Sequence, residues 1–154
     1  MAVPKSVVKI NKKGIQYTSS VDKCQYFIHE LTRAALRDVG KFIARKFRES
    51  YYSHFRRQSG DAGKATKYVV FSNAKTTAPR VQIGLKTGQV DGFYAYFQEF
   101  GSSRTKRLGL LQKAAKENVD EIIKIESQYL SGLEDEAQAL ALISEQEYEG
   151  DGDE

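Results

Sequence analysis

Apolar positions along the chain switch between a spacing of two and a spacing near 3.6, and the switches divide it into elements. Val7-Val8-Lys9-Ile10 and Ile15-Gln16-Tyr17 flank the turn-like cluster Asn11-Lys12-Lys13-Gly14 and predict a β-arm or short edge hairpin. From Asp22 to Phe55 the period is helical. Phe27, Ile28, Leu31, Ala35, Val39, Phe42, Ile43 and Phe47 recur at three- and four-residue steps and form one apolar stripe. Ser19 and Asp22 have capping-box spacing, which offers a hydroxyl to an orphan N–H and a carboxylate to the positive helix end. Tyr51, Tyr52 and Phe55 add aromatic bulk at the far end.

Gln58 to Lys64 reads as a flexible loop. Tyr68–Phe71 and Arg80–Leu85 read as strands, the second alternating Val81, Ile83 and Leu85 with Arg80, Gln82 and Gly84, so that one face is buried. Asn73 to Pro79 would join them as a hairpin, with Lys86 to Gly92 the next loop. Phe93 to Phe100 is apolar on both faces and predicts a third strand, central or at an interface, turning helical near its end. Gly101 to Arg107 is a polar, basic loop. Helical period returns from Leu108 to Leu130, with Leu111, Ala115, Val119, Ile122 and Tyr129 on one face, and Ser131-Gly132 breaks it. Leu133, Ala137, Leu140 and Ala141 predict a short acidic helix, and Tyr148 to Glu154 a frayed acidic tail. The expected fold is α+β: a long helix and a second helix packed on one face of a small antiparallel β-sheet, with an N-terminal arm and an acidic C-terminal tail. Its divisions are residues 1–20 (arm or edge hairpin), 21–130 (α+β domain) and 131–154 (acidic helix and tail).

Composition narrows the function classes. A chain of 154 residues, 40 % hydrophobic, suits one domain with a modest core. No apolar run approaches a bilayer span and no signal-peptide h-region opens the chain, so a soluble, unexported protein with no membrane partner is expected. A single cysteine, Cys24, excludes an intrachain disulfide framework and a multi-cysteine zinc site, and two histidines, His29 and His54, leave little for a metal cluster. The net charge of +4 conceals a split. Residues 1–116 carry 23 Lys/Arg against 7 Asp/Glu, whereas residues 117–154 carry Lys124 alone against 13 acids. A basic body attracts phosphate or acidic surfaces, and an acidic tail can screen it or act as a separate handle.

Catalytic chemistry finds little footing. Neither histidine has a recognisable nucleophile or carboxylate partner, and both read as surface or boundary residues. Cys24 opens a helix whose dipole can lower a thiol pKa, but a lone cysteine is ordinarily a packing residue. Gly60 and Gly63 are too close for a phosphate-binding loop, Ala65 follows Lys64 where Ser or Thr is needed, and a helix precedes in place of a strand. Asp151-Gly152-Asp153 lacks the spaced ligands of a calcium loop. Glu99, beside aromatics, reads as a buried acid without a mechanism. No enzyme activity, cofactor or metal is expected. A polyanion surface is the alternative: Arg33, Arg37, Lys41, Arg45 and Arg48 line the solvent side of the first helix, with Tyr51, Tyr52 and Tyr68 available to stack on bases. No helix-turn-helix, zinc finger or RNA-binding signature accompanies them.

One stretch is more specific. Phe93-Tyr94-Ala95-Tyr96-Phe97-Gln98-Glu99-Phe100-Gly101-Ser102-Ser103 resembles the Tyr-Ala-x-x-x-Glu-Phe-Gly-Thr signature of the small tail-completion, or head–tail joining, proteins of long-tailed bacteriophages and prophages. The match falls on Tyr94, Ala95, Glu99, Phe100 and Gly101, with Ser102 in place of Thr. The resemblance spans roughly residues 22–130 and includes the earlier long helix, the hairpin and the following helix. Leu108-Gly-Leu-Leu-Gln-Lys-Ala114 departs from it, lacking both prolines of the family's Pro-Phe-Leu-x-Pro-Ala segment.

The resemblance implies a structural virion protein of the neck that acts by assembly. It implies a ring, hexameric in the family, between a head-side connector and tail-terminator or tail-tube proteins. The protein would lie close to packaged DNA in the virion and in the host cytoplasm during assembly. On this reading Tyr96, Arg104, Lys106 and Arg107 meet subunits or partners, and Tyr94 and Phe100 are expected in the core. The alternative function is a nucleic-acid-binding accessory protein using the basic face of the first helix.

Overall fold

A computed structural model describes residues 3–5, 7–12, 14–55, 61–72, 79–86 and 92–150 of the chain. The order is β1 (Val7–Lys12), β2 (Ile15–Ser19), α1 (Val21–His54), α2 (Asp61–Ala65), β3 (Thr66–Phe71), β4 (Arg80–Leu85), α3 (Gly92–Phe100), α4 (Leu110–Glu117), α5 (Val119–Ser131) and α6 (Glu136–Gly150). The fold is α+β, with a long first helix packed on a small antiparallel sheet. Two compact units divide it, one of Met1–Ala34 with Ser127–Glu154 and one of Ala35–Glu126, so α1 and α5 each contribute to both.

The predicted α1 stripe accounts for the helix. Phe27, Leu31, Ala35, Val39, Ile43 and Phe47 are buried at four-residue steps, and Ala34 and Ala44 join them at three-residue steps from Leu31 and Phe47. Two expected members differ: Ile28 is exposed and Phe42 half-buried, because each lies at the margin of the arc that three and four steps define. The helix also starts one residue later than the capping box at Ser19 predicts. The Cys24 N–H donates to the Ser20 carbonyl at 3.0 Å, leaving Asp22 in the first turn beside the positive helix end.

In the first unit β1 and β2 form the expected hairpin, antiparallel with a bulge between Val8 and Ile10 and with Gly14 at φ +81° in its turn. Asp135 caps α6 locally, its Oδ1 accepting the Ala137 N–H at 2.9 Å. Lys23 of α1 pairs with Glu136 of α6, and Tyr129, Ala139, Leu142 and Ile143 are buried. The helix α6 runs through Gly150, past the point at Tyr148 where a frayed tail was expected. Its alanines and leucines end at Leu142, the segment beyond Ile143 being polar with Glu and Gln as good helix formers, and residues 151–154 lie outside the described residues.

In the second unit β3 and β4 pair antiparallel in unbroken register from Thr66↔Leu85 to Phe71↔Arg80. The joining segments expected at 73–79 and 86–92 fall mainly on residues outside the described ones. α1 crosses this hairpin at Gly40, whose missing Cβ would stand 2.7 Å from Cδ2 of Tyr68 and 3.2 Å from Cγ2 of Val81. Part of the loop expected from Gln58 to Lys64 is instead the short helix α2. It leads directly into β3, and Thr66 Oγ1 donates back to the Ala62 carbonyl at 2.8 Å. Phe47, Leu110 and Ala114 form a core cluster with Tyr51, Leu85, Leu108 and Leu111 packed against it.

Two further expectations are corrected here. The predicted third strand, Phe93 to Phe100, is the helix α3. Its apolar positions satisfy both periods, and the tie is broken by what must be buried: only Ala95 and Glu99, four residues apart, are fully inward, which a helix places on one face. The helix expected from Leu108 to Leu130 is two helices, α4 and α5. Asn118 ends the first at φ −116°, where its Nδ2 donates to the Ala114 carbonyl at 2.8 Å and its own carbonyl accepts the Ile122 N–H.

Candidate functional site

Helix α3 divides the signature residues by geometry. Ala95 is 1 % exposed and Glu99 5 %, whereas Tyr94 and Phe100, expected in the core, are 69 % and 57 % exposed. At about 100° per residue, Phe93, Phe97 and Phe100 lie on the side away from Ala95 and Glu99, with Tyr96 at its margin and Phe97 half-buried. Their rings support one another along the axis, with centroids 4.7 Å apart for Phe93–Phe97 and 4.8 Å for Tyr96–Phe100. Tyr96, expected at an interface, is exposed.

The buried Glu99 has a structural partner that sequence spacing does not display. Helix α4 begins after Gly109, which is in the left-handed region at φ +62° and has no side chain to cap the helix. The first N–H groups of α4 therefore lack a local acceptor. Glu99 supplies one from α3: its carboxylate accepts the Leu111 N–H at 3.0 and 3.1 Å and the Gln112 N–H at 3.3 Å. The negative charge sits at the positive end of the α4 dipole.

The segment between the helices is folded back on α3. The Gly101 N–H donates to the Phe97 carbonyl at 2.8 Å and Gly101 turns the chain at φ +84°. A Cβ there would lie 3.2 Å from Cβ and N of Arg107. Ser102 Oγ accepts the Arg104 and Thr105 N–H groups, and the Leu108 and Gly109 N–H groups donate to the Gln98 and Glu99 carbonyls. The loop so held exposes Arg104, Lys106 and Arg107, as expected. Arg107 donates to Gln112 Oε1 at 2.8 Å, and none of the three is ion-paired among the described residues. Behind α3, Tyr51 of α1 donates its hydroxyl hydrogen bond to Gln98 Oε1. Burial, then the neighbouring Tyr52, pushes the Tyr51 phenol above its ordinary value of 10.0.

The structure therefore gathers Tyr96, Arg104, Lys106, Arg107 and the five signature residues into one helix–loop–helix, α3 to α4. Phe93, Gln98 and the Leu111 and Gln112 amides belong to it and were not singled out from sequence. A helix start preceded by Gly109, with no Ser, Thr, Asp or Asn at the cap position, is the signal that a distant acceptor is required.

The basic stripe of α1 is less open than its spacing suggests. Arg45 and Arg48 are exposed, but Arg33, Arg37 and Lys41 are half-buried. Long arginine and lysine stems cover apolar surface while their ends reach solvent or partners. Arg33 lies 3.9 Å from Glu30, and Arg45 stands over the Phe42 ring at 5.8 Å.

Elsewhere, His29 Nδ1 is 3.2 Å from Glu30, and His54, exposed, packs its ring edge near Phe55. Cys24 is exposed. Among the described residues no cluster of three His, Cys, Asp or Glu is arranged to hold a metal, and no helix is long and apolar enough to cross a membrane. No family model, curated protein or solved structure matches the chain.

Proposed function

We propose that this chain is a structural assembly protein, a tail-completion or head–tail joining component of a tailed phage or prophage that acts by binding copies of itself and neck proteins. The observation that supports this most is the two-sided α3. Ala95 and Glu99 fix the helix inward, while an aromatic face beside a basic loop is presented outward. Exposed aromatics next to arginine are the side chains that anchor protein–protein contacts when water is excluded around them. The signature Tyr94, Ala95, Glu99, Phe100 and Gly101 lies wholly within this module. By resemblance the assembly is a hexameric ring in the virion neck, flanked by a head-side connector and by tail-terminator or tail-tube proteins. The α1 stripe supports the nucleic-acid alternative less, since only Arg45 and Arg48 of it are exposed.

Mass measurement by light scattering tests the proposal, with the chain alone and mixed with the proteins encoded beside it, at low and high salt. A discrete closed oligomer, alone or formed with a neighbouring protein, is the expected result. A monomer that ignores those proteins but binds duplex DNA with a steep salt dependence overturns it and favours the alternative.

A further inference from the structure

The charge split of the sequence takes a definite place in the fold. In the first unit, the turn from α5 to α6 carries Leu130-Ser131-Gly132-Leu133-Glu134-Asp135. Leu130 is 64 % exposed and Leu133 46 %, and Glu134 and Asp135 are exposed beside them. This corner is well held. The Leu133 and Glu134 N–H groups donate to the Leu130 and Ser131 carbonyls, Gly132 packs against Leu142, and Asp135 caps α6 through one carboxylate oxygen. In the second unit, the end of α3 and its loop carry exposed Tyr96 and Phe100 with exposed Arg104 and Lys106. The two patches match in kind and oppose in charge: each has a small apolar centre bordered by charges, negative on one and positive on the other.

We infer that these two patches are the donor and acceptor faces of a self-contact, in which the α5–α6 corner of one copy docks on the α3 aromatic face and Arg104/Lys106 loop of a second copy. Charge complementarity selects this occupant. Either patch set against the same patch of a second copy would juxtapose like charges, which disfavours that contact. Complementary patches can meet reciprocally, in a two-fold dimer, or head to tail. The head-to-tail contact, which the assembly reading favours, closes into a ring when the rotation between copies allows it. The acidic corner begins at the end of the stretch that resembles tail-completion proteins, so the pairing is a property of this chain's own C-terminal segment. It rests on the reading that the chain assembles with itself, and it adds which surfaces meet.

The test uses the full chain and two charge reversals. One variant carries Arg104→Glu and Lys106→Glu. The other carries Glu134→Lys and Asp135→Asn, the asparagine retaining a cap for α6. Sedimentation velocity over a concentration series, at low and high salt, reads the association, and far-UV circular dichroism establishes that each variant is folded. Each variant alone should associate on the order of tenfold more weakly than the parent. An equal mixture of the two should recover association, because the acidified face then meets the basic corner and the unaltered face meets the unaltered acidic corner. A chain carrying both reversals should also recover it. Leu133→Ser, which leaves the charges in place, should weaken association while preserving its salt dependence.

Parental association in folded variants, or a mixture that stays dissociated, overturns the pairing. So does a parent chain that is monomeric at every concentration. A monomer that still binds the neighbouring neck proteins defeats this contact and leaves the assembly reading standing. Self-association by these faces with no binding to any of those proteins does the opposite.

Discussion

Replacing Glu99 by alanine should destabilise the α3–α4 module through a mechanism that can be located to two amides. Leu111 and Gln112 occupy the second and third positions of α4, where an ordinary N-cap side chain would accept their hydrogen bonds. Gly109 provides none. Loss of a helix cap costs about 1 kcal/mol, and loss of a partly buried charge at a helix N-terminus costs up to about 2 kcal/mol. The two overlap, since one carboxylate provides both, so Glu99→Ala is expected to cost about 2 kcal/mol, less than their sum. Glu99→Gln keeps an acceptor oxygen and loses the charge, and should cost about half as much.

Urea unfolding measures this. With a slope of about 1–3 kcal/mol per molar urea, the alanine variant should unfold at a midpoint lower by about 1 M or more. Hydrogen exchange adds the local signature: the Leu111 and Gln112 amides should lose protection beyond what the global destabilisation gives, ahead of amides in the middle of α1. An alanine variant within about 0.5 kcal/mol of the parent, or one whose two amides exchange no faster, refutes the capping assignment.

Three other substitutions probe neighbouring features. Gly40→Ala gains about 1 kcal/mol of helix propensity, but its Cβ would meet the rigid base of the Tyr68 ring at 2.7 and 2.9 Å. Overpacking of about 1–3 kcal/mol should prevail, so thermal melting should fall. Gly101→Ala should cost about 1–2 kcal/mol for left-handed backbone, with added crowding against Arg107, read as a lower urea midpoint with little change in slope. Tyr51→Phe removes the hydrogen bond to Gln98 and should cost about 1 kcal/mol near neutral pH. Because the folded protein favours the neutral phenol, the Tyr51 contribution is complete below pH 10.0 and lost as pH rises through the raised folded value. Urea midpoints followed upward from that pH should therefore converge between parent and Tyr51→Phe, and curves that stay parallel would contradict the assignment.

The parts of the fold legible in sequence are those where one period had no rival. The α1 stripe was readable because a long run of three- and four-residue steps fits nothing else, and β4 because Val81, Ile83 and Leu85 alternate cleanly. Phe93 to Phe100 defeats the same reading, since its apolar positions fit a period of two as well as one of 3.6. Its helical state follows from the inward pairing of a small residue, Ala95, with an acid whose acceptors are needed one helix later. Tyr94 and Phe100, expected in the core as members of the signature, are exposed because a nine-residue helix with only two fully buried residues leaves most of its aromatics outside. The break at Asn118 depends on a side chain bonding back to Ala114, and the register of apolar positions on either side conceals it. For the site, the basic loop was legible as a loop. The contact between Glu99 and α4 was not, because it joins residues twelve and thirteen apart through a turn no motif describes.

The two faces of α3 also separate what mutations there should do. Glu99 and Gly101 act on the shape of the loop, by anchoring the start of α4 and by turning the chain at φ +84°. Tyr96, Phe100, Arg104 and Lys106 expose their side chains and sustain few contacts of the fold itself. Changing the inner pair should therefore lower stability and association together, whereas changing the outer group should lower association at nearly constant stability. The aromatics would otherwise be an unfavourable feature, an apolar patch held in water by a helix whose buried face is only an alanine and a carboxylate. Their outward placement is held by several bonds together: Glu99 on the α4 amides, Tyr51 on Gln98, and the Leu108 and Gly109 amides on the Gln98 and Glu99 carbonyls. A cap that spans two helices thus does more than satisfy backbone donors: with these bonds it helps set which side of α3 is available to a partner.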